Sequence, residues 1–204
     1  MEQKSAEWFK ARLGKITGSG VAALLTKSRK KDELFGETAK TYITEKVVEL
    51  LTGQSKDVFE NTAMRWGNDH EDEARSLYAF IHSADVKEVG FVYLDKYTGC
   101  SPDGLVGSDG LIEIKCPYNS INHYNTVVDG DVPVAYMPQV IFNMWVTNRA
   151  WCDFISYDPR FKKNSMSVIR VKMSDHIDYL ENLVSRVALA REEIEKRLVE
   201  FYGV

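Results

Sequence analysis

From Gly110 to Cys116 the chain reads Gly-Leu-Ile-Glu-Ile-Lys-Cys, an alternation that fits a strand and little else. In a strand, Glu113 and Lys115 share one face, and Ile112 and Ile114 share the other. A carboxylate and an ammonium beside a hydrophobic strand are costly to bury unless they pair or meet a metal. Upstream, Ser101-Pro-Asp-Gly104 is a turn signal that presents Asp103 beside the same strand through a strand-like spacer. The bare pattern fits a surface strand with a cross-strand ion pair. It also fits a divalent-cation site in which two acids and a lysine promote attack of water on a phosphodiester. The turn and the apolar alternation favour the second reading.

With 204 residues, 44% of them hydrophobic, the chain is long enough for one well-cored domain, expected to span residues 1–204. Cys100, Cys116 and Cys152 lack paired C-x-x-C spacing, which argues against a disulfide framework, a zinc ribbon or a four-cysteine cluster. Neither end reads as a signal peptide and no apolar run reaches spanning length, so a reducing cytoplasm is the expected setting. At a net charge of −4, any grip on a polyanion must be local. Lys27-Ser-Arg-Lys-Lys31 and Arg160-Phe-Lys-Lys163 are the candidates, each otherwise a solvated loop.

The N-terminal third reads helical: a short segment over 5–13 around Trp8, then a helix capped by Ser19 carrying Val21, Leu24 and Leu25. Thr38 to Leu51 places Ile43, Val47, Leu50 and Leu51 at helical spacing and stops at Gly53. From Asn61 to His82, the residues Met64, Gly67, Glu71, Ala74, Tyr78 and Ile81 recur at steps of three and four. Glu71 thus lies mid-stripe, either paired with a base or given room by Gly67 and Ala74 to act as a third acid. Asp69, Asp72, Glu73 and Arg75 are expected on the solvated faces. Strands follow at 86–94, 97–101 and 111–116, then a polar loop over 118–133 and a helix over 136–146 with Pro138 in its first turn. Strands at 151–157 and 166–171 precede a terminal helix capped by Ser174, with Ile177, Leu180, Val184, Val187, Ile194, Leu198 and Phe201 on one stripe. This order indicates one α/β domain around a mixed sheet.

Five ordered blocks then carry a family resemblance. They are Trp8 to Ser19, Trp66-Gly-Asn-Asp-His-Glu71 with Glu73-Ala-Arg75, and Ser101-Pro-Asp-Gly104 with Ile112-Glu-Ile-Lys-Cys-Pro117. Ala135-Tyr-Met-Pro-Gln139 with Met144-Trp-Val-Thr147, and Tyr157-Asp-Pro-Arg160, complete the set. Over roughly residues 5 to 165 the chain resembles the bacteriophage lambda exonuclease family (YqaJ-like viral recombinases) of restriction-endonuclease-like nucleases. The resemblance implies a PD-(D/E)XK core, a central mixed β-sheet flanked by helices with helical additions at both termini.

The same resemblance implies a magnesium-dependent 5′→3′ exonuclease on double-stranded DNA, releasing 5′-mononucleotides and leaving a 3′ strand for recombination. Glu71, Asp103 and Glu113 fall on the metal ligands, with the carbonyl of Ile114 adding an oxygen, and Lys115 on the lysine that orients the attacking water. Hard oxygen donors suit Mg²⁺, with Mn²⁺ able to substitute and Ca²⁺ expected to be non-productive. Arg12, Ser19, Ser101 and Gln139 fall where the family binds the terminal 5′-phosphate. Arg29 falls on a DNA-contacting arginine, and Met64 where an apolar side chain parts the terminal base pair. The implied partners are 5′-phosphorylated duplex ends, two further copies in a homotrimeric ring, and a single-strand-annealing recombinase, in a bacterial host cytoplasm with phage or prophage origin. The chain departs from the family in a shorter N-terminus and at Ile121, where the lambda enzyme carries a DNA-contacting arginine; His123 is a candidate to compensate. Alternatives are a structure-specific endonuclease on the same core or a catalytically idle DNA-binding subunit. His70 beside Glu71 is disfavoured as a proton shuttle, since a metal-bound hydroxide needs no histidine. Trp8 and Trp66 read as packing residues, and Cys100 and Cys116 as small buried hydrophobes.

Overall fold

The structure is a computed structural model that describes residues 1–28, 30, 32–55 and 61–203. Arg29 and Lys31, and with them the expected DNA contact of Arg29, lie outside the described residues. The helices are α1 (Ala6–Arg12), α2 (Glu37–Thr52), α3 (Thr62–His82), α4 (Ser120–Asp129), α5 (Met137–Thr147) and α6 (Ile177–Tyr202). The strands are β1 (Val86–Lys87), β2 (Val92–Tyr93), β3 (Gly99–Cys100), β4 (Gly104–Val106), β5 (Gly110–Lys115), β6 (Trp151–Tyr157) and β7 (Met166–Lys172).

Five strands form one sheet in the order β1-β4-β5-β6-β7, and β2 pairs with β3 separately. Within the large sheet β5 and β6 are parallel and the other pairs antiparallel. A parallel pair needs a crossover, which α4 and α5 supply. The alternation in β5 sorts two cores. Leu111 and Phe154 face the larger one, with Leu24, Ile43, Ile141 and Leu183 from the flanking helices. Ile112, Ile114 and Ile155 face the smaller one, against Ala74 and Tyr78 of α3. Burying each such side chain stabilises by roughly 1.5–3 kcal/mol, so a one-residue slip of β5 would be strongly disfavoured.

Helices α1, α2 and α5 and strands β6 and β7 form where the pattern predicts, with Pro138 in the first turn of α5 and Gly53 ending α2. Five expectations change. The strand over 86–94 divides into β1 and β2, in different sheets, because the chain bends at Gly90, where a Cβ would collide with the carbonyl of Met1. Ser19 caps no α-helix: Val21–Leu25 is a 3-10 turn with Gly20 at its N-cap. The polar loop over 118–133 contains α4, begun where the Asn119 side chain accepts from the Ile121 N–H. Its signal is inverted, since Ile121, Tyr124 and Val128 are exposed while His123 and Thr126 are buried. Ser174 sits in a 3-10 turn with its hydroxyl on Asp175, and α6 starts afterwards at Ile177. The buried stripe of α6 is Leu183, Val187, Ala190 and Ile194, leaving Ile177 and Phe201 exposed.

Candidate active site

The β4–β5 hairpin carries the densest chemistry. Gly104 pairs with Ile112, which sets Asp103, one residue earlier, alongside the end of β5. A Cβ at 104 would run into the Val86 side chain, so glycine lets β1 and β4 approach closely here. The Asp103 carboxylate accepts the Ile114 N–H at 2.6 Å, tying the acid to the strand that bears its partners. On the opposite face of β5 from the isoleucines, Lys115 Nζ donates to Glu113 Oε1 at 2.6 Å. The ion pair is therefore within one strand, not across two, and Glu113 is 1% exposed. Its Oε2 accepts the Asn143 amide of α5 at 2.9 Å. The Lys115 ammonium also lies over the Tyr136 ring at 5.3 Å and borders a cavity of about 520 Å³ walled by Tyr136, Phe154 and Ser156.

These groups reshape one another's ionisation. Burial, followed by the charges of Glu113 and Glu71, holds the Asp103 carboxyl well above the usual carboxylate range. Burial disfavours the Lys115 ammonium, but Glu113 and Asp103 outweigh it and keep the lysine more firmly protonated than usual. The site is thus a cluster of acids at close quarters with a fixed cation among them.

Glu71 reaches the cluster from α3. That helix begins at Asn61, whose side chain accepts the Met64 N–H, and is anchored further on by the Tyr78 hydroxyl, which donates to the buried Asp153 at 2.7 Å. Arg75 donates to Glu71 Oε1 at 2.8 Å, and Lys4 reaches Oε2 at 3.3 Å. The expected pairing with a base is met twice over, by Arg75 and Lys4, and the Glu71 charge is one of the causes that raise the Asp103 carboxyl. The expectation for Arg75 is corrected: its side chain is 11% exposed and not solvated. Asp72, at 88%, is solvated.

Three of the four residues expected to bind a terminal phosphate form a connected string through Trp8. Arg12 Nη2 lies 3.4 Å from Ser19 Oγ, and its guanidinium stacks 4.2 Å over Trp8. Trp8 in turn donates its indole N–H to Ser101 Oγ at 2.8 Å. Gln139 stands beside the turn that carries Ser19, since a Cβ on Gly18 would meet Gln139 Cγ and Asn143 Oδ1. Ser101 is two residues from Asp103, so this group adjoins the acids. Met64 is exposed at the start of α3, and Ile121 is exposed on α4. His123 is fully buried between Ser156 Oγ and the Asn164 carbonyl, so it compensates for nothing at a DNA surface. Arg160 is not a free cation either: it grips Asp158 and the carbonyls of Pro117 and Tyr118.

Among the described residues no three His, Cys, Asp or Glu side chains close on one point as metal ligands. Glu113 is drawn to Lys115 and Asn143, and Glu71 to Arg75 and Lys4. The donor chemistry is nonetheless that of a hard cation, with carboxylate oxygens adjoining the main chain of β5. Sulfur does not compete. All three cysteines are free and buried, and burial, then the charges of Glu71 and Asp103, pushes the Cys116 thiol up to about 12.

Sequence reasoning did not find Asn143, Arg75 or the polar role of Trp8. Signals existed for the first two. Asn143 interrupts the buried run Val140 to Met144, and Arg75 stands four residues after Glu71 on one helix.

The YqaJ-like viral recombinase domain matches this chain over residues 7–150. The alkaline exonuclease LHK-Exo of Laribacter hongkongensis is 35% identical, with a TM-score of 0.81 over 98% of this chain and 99% of that one. The same enzyme in complex with dAMP is 36% identical, with a TM-score of 0.82 over 98% of each chain. A phage related exonuclease from Haemophilus somnus 129PT shares the fold, with a TM-score of 0.67 at 16% identity over 92% of this chain and 96% of that one. Uncharacterized protein R354 of Acanthamoeba polyphaga mimivirus is 27% identical over 170 residues, 76% of this chain. The chain spans 29% of that protein's length.

Proposed function

The chain belongs to the YqaJ-like viral recombinase family, with the restriction-endonuclease-like fold of phage exonucleases, and from that premise we propose that it is a DNA exonuclease. In detail, we propose that it degrades double-stranded DNA from 5′-phosphorylated ends in the 5′→3′ direction, depends on Mg²⁺, and leaves a 3′ single strand. The carrying observation is adjacency: the Arg12–Ser19 and Trp8–Ser101 contacts stand beside the hairpin bearing Asp103, Glu113 and Lys115. An internal cutter has no use for a site that binds a terminal phosphate, which weighs against a structure-specific endonuclease. Intact acids and lysine weigh against an idle binding subunit.

Glu71, Asp103 and Glu113, with the Ile114 carbonyl, would hold the cation. A bound divalent ion supplies charge to a phosphodiester and makes an attacking water more acidic. The chain's own residues do the rest. Lys115, held protonated by Glu113 and Asp103, keeps a donor at the reacting centre and orients the water. Asn143 fixes the second oxygen of Glu113 so that the acid does not rotate away. Arg12 and the two serines would take the terminal phosphate as charge-assisted and neutral hydrogen bonds, setting which bond is cut. Hard oxygen donors favour Mg²⁺ or Mn²⁺, and Ca²⁺ would bind without turnover.

The test is a digestion time course with Mg²⁺ on linear 5′-phosphorylated duplex, linear 5′-hydroxyl duplex and covalently closed circular DNA. Fast loss of the first, slower loss of the second and an intact circle are expected. Cleavage of the circle would replace this reading with the endonuclease.

A further inference from the structure

We infer that Arg75 is the positioning residue of the acid cluster, holding Glu71 and the Asp103 main chain in one frame so that a divalent cation finds these two acids at a fixed separation. This rests on the metal-dependent reading above. Arg75 makes its contacts in two groups. One edge of its guanidinium faces the site: Nε donates to the Asp103 carbonyl oxygen at 2.9 Å, and Nη2 to Glu71 Oε1 at 2.8 Å. The remaining nitrogen, Nη1, faces outward to Asp72 at 2.6 Å and Glu88 at 3.4 Å, both largely exposed.

That division separates the two jobs. The outward contacts join exposed acids, which contribute little to stability. The inward edge joins two residues from different elements, one on α3 and one at the entry to β4, that no main-chain pairing connects. Asp103 then passes the constraint to β5, because its carboxylate accepts the Ile114 N–H. One planar fork therefore fixes the separation between the helix acid and the hairpin acid. Lysine has the same charge but only one nitrogen and cannot span both acceptors in this geometry. Without the fork, Glu71 keeps only the longer contact to Lys4, and the Asp103 carbonyl loses this donor. The cation would then have to order the ligands itself, which weakens binding.

The measurement is Mn²⁺ affinity of the DNA-free protein by titration calorimetry and electron paramagnetic resonance, for the parent, Arg75→Lys, Arg75→Gln and Asp72→Asn. Circular dichroism and thermal unfolding without metal establish that each variant is folded. Arg75→Lys and Arg75→Gln are expected to bind Mn²⁺ about 10- to 100-fold more weakly, the range seen when residues supporting metal ligands are lost. Asp72→Asn, which trims only the outward contacts, is expected to match the parent. In a Glu71→Gln background the further loss from Arg75→Lys should shrink, because much of its effect passes through Glu71. Folded Arg75 variants that bind Mn²⁺ as tightly as the parent, or more tightly, overturn the inference and leave the nuclease reading standing. A parent that binds no Mn²⁺ overturns both. Should Arg75→Gln not fold, Arg75→Lys with the Glu71→Gln cycle decides the matter alone.

Discussion

Asn143 donates its amide to Glu113 Oε2 at 2.9 Å, across a separation of 30 residues, while Lys115 takes the other oxygen. Both oxygens of a carboxylate that is 1% exposed are thereby matched to donors. Asn143→Leu keeps the volume and strips one donor, which should destabilise by roughly 1–3 kcal/mol. Asn143→Asp should cost more, since it sets a second negative charge against the first. Thermal unfolding followed by circular dichroism reads both, and an unchanged midpoint for Asn143→Leu would show that Glu113 does not need the amide.

Replacing Glu113 by Gln, or Asp103 by Asn, removes an anionic oxygen at nearly constant volume. Digestion in Mg²⁺ should fall to background while the fold survives. Lys115→Ala should be nearly as inactive yet still bind Mn²⁺, because an ammonium is not a ligand. Calorimetry separates the two classes. Parental digestion by Glu113→Gln would remove the hairpin from the mechanism.

Arg12→Ala should erase the preference for a 5′-phosphorylated end. A guanidinium–phosphate contact is a charge-assisted bond, so the faster substrate should slow by about tenfold or more. The 5′-hydroxyl substrate never had that contact and should change little. Equal losses on both would assign Arg12 to the fold, where its stacking on Trp8 already gives it a place.

Tyr42 supports the turn that bears Ser19: its hydroxyl accepts the Thr17 N–H at 3.1 Å, and its ring fills the space a Cβ on Gly20 would need. Burial pushes its phenol from 10.0 up to about 12. The folded chain thus keeps a proton that the unfolded chain gives up. The stabilisation is complete below about pH 10 and is lost as pH climbs to about 12. Tyr42→Phe should lower stability near neutral pH by roughly 1 kcal/mol, about 2–4 °C in midpoint, and lose less of it across the alkaline window. Parallel pH–stability curves for the two proteins would rule out Tyr42 as a contributor.

Assembly gives a last test. A chain with net charge −4 that stays on a polyanion while digesting it is well served by a closed ring, and a C3 homotrimer is the proposed form. Light scattering should return three chain masses, with long tracts degraded per engagement. A monomer at micromolar concentration that still digests processively would remove the ring from the account.

The hairpin acids were legible because they are local. Asp103 to Lys115 is a short stretch in which a turn, an alternation and charged residues all point the same way, and the β4–β5 pairing realises it. Glu71 was legible from helical spacing alone, and so was its coexistence with small neighbours. What escaped is what long-range packing decides. Arg75 looked like one solvated charge among several until α3 docked on the sheet and turned it inward. Helix α4 was hidden because its buried face holds His123 and Thr126 rather than apolar residues. The break at Gly90 depends on the N-terminal residues pressing against it, a contact with no local signature.

The contrast between a local hairpin and a distant amide has a consequence during synthesis. A nascent chain that has emerged only as far as β5 already contains Asp103, Glu113, Ile114 and Lys115, but not Asn143 or the wall that α5 builds over them. Contacts of high sequence separation form late. A ribosome-bound intermediate would therefore carry Glu113 without the donor that takes its second oxygen. Under the proposed reading, the order in which the polypeptide is made would delay cutting until α5, which stands beside the turn that carries Ser19, has arrived.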